Sequence, residues 1–361
     1  MKHLLALLIL LAAAFVAPAN ASPLSGTRSI GPTGDYASIG AAIADVQANM
    51  LGGALVLELQ PAYVSTVETF PLTFTNLTTT TANTLTLRPQ TGATALSITS
   101  ADTTAATVDL NGAQYVTLDG RPGGTGTVKQ LTIANTSTSG VALRFINEAS
   151  SNTIQYLTLQ GVNTSATSVG GAGCGTVFFS TTTGANGNDN NTIDHCDIGD
   201  GATTPANGIY SLGSAGTTAQ NNSGNTVANC NIFNFYAATA VDSAGVRLDG
   251  RNTDWTIIGN SFYQTVSRAA VSANVRAIYV SNTSGNNFTV TANFIGGSAP
   301  GAGGTAWTTT GTGSSYLFAG IRLNVGTVTS SSVQGNTIAN ITWTSSNNST
   351  TLPGVWSGIH V

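Results

Sequence analysis

Short runs of alternating apolar and polar residues recur along most of the chain, with Gly, Ser and Asn between them. One kind of run opens on a small residue. It reads Gly140-Val-Ala-Leu, Gly208-Ile-Tyr-Ser, Gly245-Val-Arg-Leu, Ala277-Ile-Tyr-Val, Gly320-Ile-Arg-Leu and Gly358-Ile-His-Val, with Gly175-Thr-Val-Phe-Phe between the first two. A second kind lies between these. It reads Ile154-x-x-Leu157-x-Leu159, Ile193-x-x-Cys196-x-Ile198 and Val227-x-x-Cys230-x-Ile232, then Ile257-x-x-Asn260-x-Phe262, Val290-x-x-Asn293-x-Ile295 and Val333-x-x-Asn336-x-Ile338. An Asn-Thr pair precedes three of these, at Asn152, Asn191 and Asn225.

Each unit is too short to bury its own apolar face, so neighbouring units must stack to close a core. The expected fold is all-β: a right-handed parallel β-helix. Strands of successive coils pair about 4.8 Å apart, and roughly nine or ten coils make a cylinder about 45 Å long. The middle position of the second run then forms a column of Leu157, Cys196, Cys230, Asn260, Asn293 and Asn336. Stacked Asn side chains bond to one another as an amide ladder. Cys196 and Cys230 are read there as small buried fillers, with a disulfide between them as the alternative. Cys174 has no partner on this argument.

The start of the coil region reads as a cap. Tyr36, Ile39, Ile43 and Val46 recur at helical spacing, Asp35 or Ser38 can serve as N-cap, and Gly52-Gly53 end the element. Such a helix covers the open edge of a solenoid, which otherwise invites pairing with other chains. Strands follow at Leu55–Leu59, Leu85–Leu87, Val116–Leu118 and Leu131–Ile133. At the other end the chain stops at Val361, inside what reads as the first strand of a new coil. That predicts truncation before further coils or a C-terminal module.

Composition narrows the function. Lys2 and His3 precede an apolar run from Leu4 to Val16, and Ala19-Asn20-Ala21 supplies a small-x-small cleavage pattern. Residues 1–21 therefore read as a signal peptide, too short to span a bilayer, and 22–361 as the exported β-helix, secreted or held at the cell surface. Charged residues are 7% of the chain and the formal net charge is −4. Lys129 is the one lysine after the leader, so no basic patch exists to neutralise phosphates, and nucleic acid is excluded as a partner.

The segment Gly34-Asp35-Tyr36-Ala37-Ser38-Ile39 with Ala42-Ile43 and Leu55-Val56-Leu57-Glu58-Leu59, the run Tyr115-Val-Thr-Leu-Asp119-Gly120, and the Asn-Thr-Ile coils together resemble the pectate-lyase-like right-handed β-helix superfamily. They resemble above all its large exported surface proteins of Bacteroidetes-type bacteria. The resemblance covers nearly all of the chain after the leader and implies the fold. It does not imply one activity, because this fold hosts lyases, hydrolases, adhesins and stalks. Polygalacturonase-like members use clustered aspartates, and here Asn252-Thr253-Asp254 alone matches their motifs. Pectate-lyase-like members use a calcium site. The densest acidic stretch is Asp189, Asp194, Asp197 and Asp200, where Ca2+ could sit near Asp194, Asp197 and Asp200, against the alternative of turn-forming, solvated Asp. Beside it, His195 reads as a surface residue.

The outward position of the Gly-Ile-x-Leu run carries more chemistry. Along the stack it reads Ala142, Tyr210, Arg247, Tyr279, Arg322 and His360, with Asp249, Ser281 and Asn324 two residues on. Tyr and Arg side chains suit sugar rings and uronate carboxylates, because guanidinium is a planar two-pronged donor. Mutual cation–π packing of Tyr and Arg is the plainer alternative. Tyr210, Arg247, Asp249, Tyr279 and Arg322 are thus the candidate ligand-binding residues. The reading is a non-catalytic adhesin, structural or glycan-binding module, with an extracellular polysaccharide as its partner. The alternative is a polysaccharide lyase or glycoside hydrolase acting on acidic polysaccharide. An enzyme of this fold needs a groove, and the insertion between Gly296 and Tyr316, small and polar apart from Trp307, is the candidate wall. Ice binding is weaker, since Thr-x-Thr does not recur on one face.

Overall fold

A computed structural model of the chain describes residues 23–168, 173–239, 241–311, 316–346 and 354–361. The leader assigned to residues 1–21 lies outside them. Strands one coil apart lie side by side and run parallel, giving three sheets of ten, eight and nine described strands. The first sheet runs from Leu24–Ile30 to Ser332–Gln334, the second from Leu96–Ser100 to Thr337–Ile338, and the third from Leu72–Phe74 to Trp356–His360. The chain is a parallel β-helix with one short α-helix.

The alternation explains the register. Every second side chain of a strand points inward, and a slip of one residue would expose the whole apolar set. In the first sheet Leu57, Leu87, Leu118, Ile154, Ile193, Val227, Ile257 and Val290 stand in one buried column. In the second sheet Ile98, Ile133, Leu159, Ile198, Ile232, Phe262 and Ile295 do the same. Burial of each such side chain is worth about 1.5–3 kcal/mol relative to exposure. The third sheet needs a close backbone approach at its small residue: a Cβ on Gly245 would lie 2.5 Å from the Phe262 ring and 2.7 Å from the Ala277 carbonyl oxygen.

The cap differs in detail from the expectation. The helix is Ile39–Asn49, with Ser38 as N-cap accepting a hydrogen bond from Ala41 N. Asp35 instead binds the backbone N–H and hydroxyl of Ser29. Tyr36 lies before the helix, in a bridge with Ile30. Met50, at φ 61°, ends the helix, and Gly52 and Gly53 belong to the strand Leu51–Leu59. A strand that the apolar pattern does not announce, Leu24–Ile30, precedes the helix and forms the outermost strand of the first sheet. The helix buries Ile39, Ala42, Ile43 and Val46.

The insertion before Tyr316 is not a groove wall at its one aromatic residue. Trp307 is fully buried, edge-on to Phe235 and Phe318 at 5.7 Å and 5.5 Å between ring centroids. It extends the core.

Candidate functional site

The strand register fixes the outer stripe of the third sheet. From Asp109 the column runs Arg144, Phe178, Tyr210, Arg247, Tyr279, Arg322 and His360. Ala142 does not belong to it. Leu143 aligns with Val177 and Ile209, so Gly140-Val-Ala-Leu is two residues out of step, and Ala142 is buried. Arg144 takes its place, held by both oxygens of Asp109 at 2.8 and 2.6 Å.

The stripe divides into a covered half and an open half. Tyr210 is only 1% exposed and packs with Ala106, Val141, Cys174 and Phe178 in a small apolar cluster outside the main core. Its hydroxyl donates to Asp249 at 2.7 Å, and burial, reinforced by the Asp249 charge, pushes the phenol above its usual range. Arg247 donates through Nε to Asp249 at 2.9 Å and through Nη1 to the Ala166 carbonyl oxygen at 3.1 Å. Burial opposes the Arg247 charge, but the Asp249 hydrogen bond and charge outweigh it, leaving the group above its ordinary value. Tyr210, Arg247 and Asp249 therefore satisfy one another beneath the chain that passes over them.

Tyr279 and Arg322 are half-buried and lie beyond that cover. Tyr279 gathers three guanidiniums: the carbons of Arg276, Arg247 and Arg322 stand 4.2, 5.3 and 5.6 Å from its ring centroid. Arg276, absent from the sequence reading, pairs with Asp242 at 2.9 Å. Burial alone would raise Asp242, but hydrogen bonds from Arg276 and Asn274 overcome it and hold the carboxyl low. The Tyr279 hydroxyl donates to Ser281 at 3.0 Å. Arg322 has no carboxylate or side-chain hydrogen-bond partner among the described residues.

The Asn column occupies the corner between the first and second sheets. Cys196 N donates to Cys230 Sγ at 3.4 Å, and Cys230 N to Asn260 Oδ1 at 2.9 Å. Asn260 donates its backbone N–H and its carboxamide to Asn293 Oδ1, both at 3.0 Å, and Asn293 does the same to Asn336 at 3.0 and 2.9 Å. Cys174, Cys196 and Cys230 are buried free thiols. Burial pushes the Cys174 and Cys230 thiols upward, which keeps them protonated. Two further ladders escaped the sequence reading. Asn152, Asn191 and Asn225 bond in series at the entry to the first sheet, and Asn188 bonds to Asn222 one corner earlier. The Asn-Thr pairs were their one visible trace.

The acidic stretch is dispersed. Asp194 ends a strand of the first sheet and is held by His195 and Asn229. Asp197 and Asp200 bound a strand of the second sheet; Lys129 and Asn231 hold the first, Asn234 the second. No three His, Cys, Asp or Glu side chains converge as metal ligands among the described residues. His195 is partly exposed, and its ring stacks on Tyr156 at 4.8 Å. Asn252 of the Asn-Thr-Asp match is buried and donates to the Asp249 and Ser211 carbonyl oxygens. A cavity of about 530 Å3 lies beside Asn324, Val325, Ser331, Val333 and Val361, with no titratable side chain in its lining.

No family model and no curated protein matches this chain. Solved structures do align with it. A pectin methylesterase from Aspergillus niger, in penultimately deglycosylated form, is 13% identical over 91% of this chain and 92% of its own, with a TM-score of 0.39. PfbA, a surface adhesin of Streptococcus pneumoniae, is 12% identical over 85% of this chain and 86% of its own, with a TM-score of 0.34. Likeness at this level identifies neither activity nor ligand. Among the described residues no helix is long and apolar enough to cross a membrane.

Proposed function

We propose that this chain is a non-catalytic module of the cell surface or extracellular space that holds an extracellular polysaccharide along the open half of the stripe. The observation that carries this reading is the setting of Tyr279. A chain with 7% charged residues places three guanidiniums around one ring on an outer sheet face, and one of them, Arg322, lacks a carboxylate among the described residues. Guanidinium forks complement sugar carboxylates and hydroxyls. Asp249 and Asp242 are tied to Arg247 and Arg276, which favours holding a ligand over proton transfer to it. On a glycan array the wild-type chain should retain acidic polysaccharides, and Tyr279→Ala, shown folded by circular dichroism, should lose most of that signal. A folded wild type that retains none would sink the reading.

The alternative, a lyase or hydrolase, has one observation in its favour, and it lies off the stripe. Gln114, Glu148, Ser150, Asn186, Asp189 and Asn190 line a polar cleft of about 170 Å3. Burial, with Glu148 adding to it, pushes Asp189 up from 3.8 to about 6. Glycoside hydrolysis uses a pair of carboxyl groups, one of them raised to act as the acid. Asp189 has its own consequence for stability. A carboxyl raised in the folded state stabilises below its unfolded value, and that contribution is lost as pH rises through the folded one. Asp189→Asn should therefore melt higher than wild type near pH 8, with the difference vanishing below about pH 4. A pH-independent difference would show that Asp189 is not raised. Release of reducing ends from acidic polysaccharide by wild type, abolished in Asp189→Asn, would move the assignment to the hydrolase.

A further inference from the structure

The four arginines of the third sheet's outer face differ in what holds them. Arg144 is held by Asp109, Arg247 by Asp249 and Arg276 by Asp242. Arg322 has no such partner among the described residues, although it stands 5.6 Å from the same Tyr279 ring that gathers Arg247 and Arg276. Around that ring two carboxylates offset two of three guanidiniums, leaving a local excess of one positive charge in a chain of net charge −4. The ring faces are occupied by guanidiniums, so a sugar meets donor edges there more than an open aromatic face.

We infer that the stripe reads one carboxylate, at Arg322, and that its ligand class is a glycan in which a single acidic sugar among neutral ones suffices. This rests on the polysaccharide-holding reading above. A second carboxylate displaced along the axis toward Arg247 would face Asp249 and Asp242, which already neutralise the cations there. Like charges there oppose a polyuronate, where one guanidinium without a carboxylate among the described residues favours a lone uronate.

The test is calorimetric titration of the full chain with three uronic-acid tetrasaccharides: fully acidic, fully methyl-esterified, and esterified at all but one sugar. The singly acidic form should bind at least as tightly as the fully acidic one. The neutral ester should bind roughly tenfold more weakly, the scale of one charge-assisted contact at a part-exposed site. Arg322→Gln should bring all three to the affinity of the ester, while Arg322→Lys, keeping the charge without the fork, should recover part of the discrimination. Wild-type affinity equal for ester and acid would overturn the inference and leave glycan holding intact. Affinity climbing with each added carboxylate would overturn the single-charge claim. Binding of none of the three would remove both.

Discussion

Asn293→Ala should destabilise the β-helix by about 3–5 kcal/mol, although it deletes no apolar contact of note. Asn293 is fully buried, and its one side-chain oxygen accepts from both the backbone N–H and the carboxamide of Asn260. Its own carboxamide donates to Asn336 Oδ1 and to the Ile257 carbonyl oxygen. Alanine strands the Asn260 backbone donor and leaves acceptors on either side short of a partner, at about 1–3 kcal/mol for each buried group left unmade. The exposed Asn324→Ala is the control and should change stability by less than about 0.5 kcal/mol. Urea unfolding followed by circular dichroism reads both. Equal midpoints for the two variants would mean that water enters the corner and replaces the amide.

Gly120→Ala should be comparably severe, at about 3 kcal/mol, for a reason of geometry alone. A Cβ there would lie 1.9 Å from the Tyr156 carbonyl oxygen and 2.7 Å from its carbon. Both are backbone atoms of the adjacent coil, so no rotamer relieves the clash, and two coils must part where their hydrogen bonds hold them together. Neighbouring ladder bonds at Val116–Asp119 and Thr153–Gln155 would stretch with them. Native-state hydrogen exchange should show amides of these strands losing protection before those of the distant strands Asn274–Asn282 and Leu317–Val325. Uniform loss along the chain would instead mean that the coils open as one unit.

How much of this was legible in the sequence depended on range. The apolar columns were legible because alternation is a local rule that every coil repeats. The corner position of Asn260, Asn293 and Asn336 was legible because it keeps a fixed offset from flanking apolar residues. Asn188 and Asn222 were not, since Asn is abundant and their corner has no apolar frame to set the count. The stripe slipped by two residues at its start because Gly140 repeats the small-residue motif outside the structural register. Alternation correctly turned Tyr210 away from the core, but it cannot announce that chain near Cys174 returns to bury it. The pairing of Arg276 with Asp242 was equally invisible, because the partner sits in a turn of the preceding coil, and only the stacking brings the two together.

The amide corner also has a direction. The backbone N–H of Cys230 is satisfied by the side chain of Asn260, that of Asn260 by Asn293, and that of Asn293 by Asn336. Each of these backbone donors thus meets an acceptor that lies further along the chain, while the Asn260 and Asn293 carboxamides reach back to the Val227 and Ile257 carbonyl oxygens. A polypeptide that reaches its folding compartment N-terminus first can settle this corner in one order, each arriving turn closing the account of the turn before. Assembly from the other end would bring each of these donors to an acceptor already in place, so what the corner sets is the polarity of its growing edge: a backbone donor stands open toward the C-terminal side and a carboxamide toward the N-terminal side.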